Sequence, residues 1–175
     1  MCNPSPGMLR KFIKAQATRG FASIRMSREF VVEKSVEIAA PTARVWRAVT
    51  ERDLIVRWMG GANVESTWEL GSNITFSGTM PNFNKKYRDR GIVLAVERER
   101  LLQYSHWSQM TRLPDLPQNR TIITFRLTPL DEKTRLTFRQ ENFHSEVEYK
   151  HGNFFWGVAL HMIKKLVEEQ KDTHP

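Results

Sequence analysis

From Phe30 to Ile38 apolar and polar residues alternate, with Phe30, Val32, Val36 and Ile38 on one face and Glu33, Ser35 and Glu37 on the other. A period of two predicts a strand buried on one side. Pro41 follows where a first helical turn tolerates a missing N–H, and Val45, Trp46 and Val49 recur at helical spacing. Asp53 is the expected cap of a second short helix, whose Leu54, Ile55 and Trp58 end against Gly60-Gly61. Strand-like runs follow at Val64–Leu70, Asn73–Met80, Tyr87–Val96, Leu101–Trp107, Arg120–Thr128 and Thr134–Glu141. Their short connections, among them Gly71-Ser72, Pro81-Asn82 and Pro129–Lys133, favour antiparallel neighbours. Ser108–Asn119, with Pro114 and Pro117, is a longer loop that reaches over one end of the sheet. Phe155, Val158, Ala159, Met162, Ile163, Leu166 and Val167, joined by Trp156 and Leu160, then predict one long helix with a wide apolar face.

A strand, two short helices, an antiparallel run and a long final helix make an α+β pattern, in which a curved sheet wraps the C-terminal helix. Trp68, Phe76, Tyr104, Phe125 and Phe138 are expected on the concave face, with Trp156 and Leu160 opposite. A gap between those layers would be an apolar ligand pocket. Without a gap the same rings are ordinary core.

Lys and Arg number 27 against 19 Asp and Glu in 175 residues, a net charge of +8. The excess is unevenly spread: Arg10, Lys11, Lys14, Arg19 and Arg25 lie in residues 1–27, which hold no acidic side chain. Beyond them cations alternate with carboxylates, which argues against a phosphate-binding face and so against nucleic acid as a partner. The chain is read as a 1–27 leader and a single 28–175 domain. Met8–Ala17 has the pattern of a basic amphipathic helix, and Arg19-Gly20-Phe21-Ala22-Ser23 resembles a presequence cleavage pattern. A mitochondrial transit peptide, with the matrix as destination in a eukaryote, is the expectation. The alternative is a cytoplasmic bacterial chain whose translation begins at Met26. No uncharged run approaches the ~20 residues of a membrane helix, so no membrane insertion is expected.

The chemistry on offer is sparse. Cys2 is the only cysteine, and among His106, His144, His151, His161 and His174 no pair has the four-residue spacing of a helical zinc site. No metal, cofactor, activated serine or phosphate loop is predicted, and no catalytic residue is nominated. His106 shares the strand phase of Leu102 and Tyr104, which points it inward as an acid, a base or a hydrogen-bonded core residue. Arg88, Asp89 and Arg90 either fix a ligand head group at a cavity mouth or form a solvated strand start.

Val36-Glu37-Ile38-Ala39-Ala40-Pro41, Val45-Trp46, Leu54 with Arg57-Trp58, and Trp68 with Leu70-Gly71 form the first half of an ordered series. Gly91-Ile92-Val93-Leu94, Leu101-Leu102 with Tyr104 and Trp107, Thr134–Phe138, and Trp156 with Leu160 and Leu166 complete it. Over roughly residues 29–170 the chain resembles the helix-grip superfamily of START and Bet v 1-like domains, in the branch named after the C-terminal domain of the activator of Hsp90 ATPase. The resemblance implies a curved antiparallel sheet with two short helices wrapped around a long C-terminal helix. It also implies a small hydrophobic or amphipathic ligand between helix and sheet. The expected ligand contacts are Trp68, Phe76, Tyr104, His106, Phe125, Phe138, Trp156 and Leu160. One alternative is a cyclase- or dehydratase-like enzyme using a pocket histidine or carboxylate; another is a co-chaperone-like interaction module. Hsp90 itself is a minor expectation, because 27 residues cannot supply the separate N-terminal domain of a true activator.

Overall fold

The structure, a computed structural model, describes residues 30–80 and 84–169. The basic leader with its cleavage pattern and the Pro81-Asn82 turn lie outside the described residues. Strand β1 (Val32–Ile38) leads into helices α1 (Thr42–Thr50) and α2 (Arg52–Trp58). Six strands follow: β2 (Asn63–Glu65), β3 (Asn73–Met80), β4 (Lys85–Glu97), β5 (Leu101–Trp107), β6 (Thr121–Leu130) and β7 (Lys133–Glu141). Helix α3 (Glu146–Glu169) ends the fold.

The strands form one antiparallel sheet in the order β1-β7-β6-β5-β4-β3-β2. The two short helices carry the chain from one edge to the other, and each later strand pairs with its predecessor until β7 meets β1. Helix α3 lies against β1 and both short helices. The alternation expected in β1 is present: Val32 and Ile38 are buried, whereas Glu33, Ser35 and Glu37 are exposed. At the corner after β1, the buried Thr134 hydroxyl donates to the Ala40 carbonyl at 2.7 Å and ties β7 to the entry of α1.

Several boundaries differ from the sequence reading. Glu51, not Asp53, holds the N-cap of α2, and Asp53 sits in the first turn, where its charge still favours the helix N-terminus. Leu54, Ile55 and Trp58 are buried as expected, and Gly60 and Gly61 turn the chain at φ +66° and +89°. The Val64–Leu70 run is a strand only as far as Glu65. Beyond it Trp68 adopts φ +56°, its N–H bonds the Ser66 hydroxyl, and Leu70 is exposed. Pro129 and Leu130 belong to β6, which leaves Asp131-Glu132 as the hairpin turn. In α3, Trp156, Ala159, Leu160, Ile163, Leu166 and Val167 are buried, whereas Val158 and Met162, expected on the same face, point outward. No helix among the described residues is long and apolar enough to cross a membrane.

Candidate functional site

Strand alternation places Leu102, Tyr104 and His106 of β5 on the concave face. Ile123 and Phe125 of β6, and Leu136, Phe138 and Gln140 of β7, continue that face. Next to β5, position 91 of β4 is a glycine in register with His106. A Cβ there would run into the Ser105 carbonyl oxygen, so the close approach of β4 and β5 demands glycine. The missing side chain also lets rings from β3 and β5 meet above β4. Phe76 lies 6.0 Å from Tyr104 and 5.8 Å from His106, centroid to centroid.

The eight nominated residues fall into two groups. Phe125, Phe138, Trp156 and Leu160 are buried together at the helix. Trp156 stacks on Phe138 at 3.8 Å and meets Phe125 edge-on at 5.6 Å, so rings fill the space between helix and sheet at this point. Trp58 of α2 adds a third side, 6.1 Å from Trp156. The other group, Trp68, Phe76, Tyr104 and His106, sits farther across the sheet. Trp68 reaches it from the 66–72 loop, not from a strand; its indole N–H donates to the Thr50 carbonyl at 2.7 Å and its ring lies 6.2 Å from Tyr104. Tyr104 links the groups, 6.5 Å from Phe125.

The polar inventory divides the same way. At the helix end every group is paired: the Trp156 indole N–H donates to Gln140 Oε1 at 2.8 Å, and Gln140 Nε2 donates to Thr121 Oγ1 at 3.0 Å. The Thr121 hydroxyl donates in turn to the His106 carbonyl at 3.3 Å. Such closed chains are what buried polar groups require. Tyr104 is different. Its residue is only 4 % exposed, yet its hydroxyl has no hydrogen bond with another described residue. Burial pushes the phenol well above its ordinary pKa, which keeps it a neutral donor and acceptor.

Beside it, His106 Nε2 lies 3.5 Å from Asp89 Oδ2, an ion pair when the imidazole is protonated. The second Asp89 oxygen accepts the Gln109 N–H at 2.9 Å, so the 108–119 loop covers this end of the sheet through a carboxylate. The Arg88-Asp89-Arg90 cluster is thus split by alternation: Asp89 is buried toward His106, while Arg88 and Arg90 are exposed, with Arg90 3.7 Å from Asp115. Gln140 and Thr121 were not among the candidate residues, and Asp89 was one only as a member of the charged cluster with Arg88 and Arg90, not as the partner of His106. Gln140 could have been found as a polar residue in the apolar phase of Leu136 and Phe138, and Asp89 as the inward neighbour of Gly91.

Two open grooves lie elsewhere. One of about 390 Å³ runs along the outer face beside Thr75, Ser77, Lys86 and Arg88, and one of about 140 Å³ separates α2 from α3 at Trp58 and Met162. No group of three or more His, Cys, Asp or Glu side chains gathers as a metal site among the described residues.

Residues 39–168 match the family described as Activator of Hsp90 ATPase homolog 1-like protein. The chain belongs to this family. A solved relative, ChR145 from Cytophaga hutchinsonii, is 34 % identical over 80 % of this chain and 94 % of its own, with a TM-score of 0.68. The Aha1 dimer from Colwellia psychrerythraea shares the fold at 20 % identity, covering 81 % of this chain and 98 % of that one, with a TM-score of 0.63. CalU16 from Micromonospora echinospora does so at 20 % identity, 78 % and 75 % coverage and a TM-score of 0.62. No curated protein matches the chain. Membership in the Hsp90-activator-like family settles the architecture, and one architecture hosts many activities.

Proposed function

We propose that this protein binds a small aromatic or amphipathic molecule at the Tyr104 end of the concave sheet. Trp68, Phe76 and the Tyr104 ring supply apolar walls; Phe125, Phe138, Trp156 and Leu160 form the packed floor behind them. The Tyr104 hydroxyl and the His106–Asp89 pair supply polar contacts. The observation that carries this reading is the Tyr104 hydroxyl, unpaired among described residues at the centre of an aromatic layer. A ligand group that bonds it supplies the partner that the described residues do not, and packs against the partly buried Trp68 ring beside it.

The test is a native mass spectrum of the protein purified from its own host. A small molecule released on denaturation is expected. A bare chain under those conditions, together with no uptake of aromatic probes, contradicts the reading.

The His106–Asp89 contact favours one second reading. A carboxylate that orients an imidazole is a common arrangement for acid–base work near neutral pH, as in a cyclase or dehydratase. His106→Gln separates the two: a binding protein has no turnover to lose and shows at most the modest loss of affinity of one polar contact, whereas an enzyme loses turnover with affinity largely retained.

A further inference from the structure

From Lys85 to Arg90 the chain reads Lys-Lys-Tyr-Arg-Asp-Arg, a carboxylate set among cations. Strand alternation sorts these side chains by face. Tyr87 and Asp89 share the concave phase of Gly91, where Asp89 is buried, and Lys86, Arg88 and Arg90 are left exposed on the outer face. The charge balance visible along the sequence of β4 is therefore absent from that face. Asp115 meets Arg90 at 3.7 Å, but neither Lys86 nor Arg88 has a carboxylate partner among the described residues.

The register builds a groove beside them. On one side of β3, Ser77 lies opposite Arg88 and Thr75 opposite Arg90; on the other, Ser77 lies opposite Asn63 and Thr75 opposite Glu65. Two short side chains thus form a floor between longer ones on β2 and β4, whose backbones stand ~10 Å apart across β3. This is the open groove of about 390 Å³. The Thr75 and Ser77 hydroxyls have no hydrogen bond with another described residue. Gln109 Oε1 accepts the Arg88 main-chain N–H at 3.1 Å, which leaves Gln109 Nε2 as a further donor without a partner among the described residues.

The two walls select the ligand. An ammonium, a guanidinium, an amide and two hydroxyls converge as donors for an oxyanion, and a guanidinium fork matches the oxygens of a phosphate. The β2 wall instead carries Glu65, one of whose oxygens accepts Asn63 Nδ2 at 3.3 Å. Its other oxygen is an acceptor for a ligand hydroxyl, and its charge repels a second phosphate. A nucleic-acid backbone would need cations where Glu65 stands. No aliphatic side chain lines the groove, so nothing there holds a lipid tail. Its volume is that of a small-molecule site and exceeds what a lone phosphate fills.

We propose that the outer-face groove binds a phosphate monoester of a small polyol, with the phosphate at Lys86, Arg88 and Ser77 and a hydroxyl of the polyol at Glu65. The groove lies on the opposite side of the sheet from Tyr104 and stands or falls independently of ligand binding there.

Calorimetric titration of the full chain at low ionic strength with glucose 6-phosphate, inorganic phosphate and glucose tests this. Glucose 6-phosphate is expected to bind at least ~10-fold tighter than inorganic phosphate, and glucose not measurably. Arg88→Gln should weaken glucose 6-phosphate at least ~10-fold, whereas Glu65→Ala should weaken the ester and leave inorganic phosphate bound no worse. Arg126→Gln, which removes an exposed cation from β6 on the same outer face, should change neither. All three positions are exposed, so the circular dichroism melts are expected to coincide. No binding of glucose 6-phosphate, or an equal loss in Arg88→Gln and Arg126→Gln, overturns the proposal. Equal affinity for the ester and inorganic phosphate, or an ester indifferent to Glu65→Ala, overturns the polyol assignment.

Discussion

The indole N–H of Trp156 donates to Oε1 of Gln140 at 2.8 Å, which joins the long helix to β7 through a buried polar contact inside an aromatic cluster. Two kinds of stabilisation meet at this residue, ring burial and hydrogen bonding, and substitutions separate them. Trp156→Ala should cost about 3–5 kcal/mol of folding stability by opening a cavity. Trp156→Phe keeps most of the ring but orphans the Gln140 acceptor, at a cost of about 1–3 kcal/mol. Urea unfolding of both variants checks this; a neutral Trp156→Phe would mean that the hydrogen bond contributes nothing.

Gly91 offers a steric test. A methyl group there collides with the Ser105 carbonyl of the adjacent strand, and backbone cannot yield as a flexible side chain would. Gly91→Ala should therefore lower stability by about 1–3 kcal/mol, the usual range for forced overpacking. Gly157→Ala is the matched control, since its Cβ would meet only the Lys34 side chain at an ordinary 4.0 Å and alanine favours a helix. Thermal melts of the two should move in opposite directions.

Acid sensitivity has a local source at the C-terminal end of α3. Glu168 accepts the Ala39 N–H at 2.8 Å and the Lys164 ammonium at 2.8 Å, and these hold its carboxyl below the usual glutamate value. The unfolded chain therefore binds this proton at a higher pH than the folded one. The contribution is complete above the ordinary glutamate pKa and disappears as pH falls through the lowered one. Glu168→Gln should lower stability at neutral pH and make the acid limb of the stability–pH curve shallower. An acid limb identical to that of the native chain would contradict this.

The parts of this fold that local chemistry determines could be read from the sequence. β3 and β5 run between the residues expected because turn residues bound each of them and a buried phase alternates along them. The Val64–Leu70 run failed because Trp68, an apparent strand aromatic, takes a left-handed backbone stabilised by the Ser66 hydroxyl and the distant Thr50 carbonyl. Only the tertiary partner makes that turn favourable. For α3, periodicity could not say which of two apolar faces meets the sheet, so Val158 and Met162 were assigned to the core while they face outward. In the candidate site, Tyr104 and His106 were visible through alternation. Asp89 was legible only as one of a charged cluster with two arginines, because its partner His106 lies 17 positions away across a strand pair.

The claim of a ligand site at Tyr104 is tested most directly by calorimetric titration with 2-naphthol, an aromatic alcohol, into the native chain and Tyr104→Phe, with urea unfolding of both. The account predicts binding by the native chain and affinity lowered ~10-fold in the variant, equivalent to about 1.4 kcal/mol for one lost hydrogen bond. Stability should be unchanged in the variant, because the hydroxyl has no partner to lose among the described residues. No binding by the native chain, equal affinity in both, or a Tyr104→Phe chain destabilised by more than ~1 kcal/mol would contradict it, since that cost is what a native hydrogen bond from the hydroxyl would leave behind.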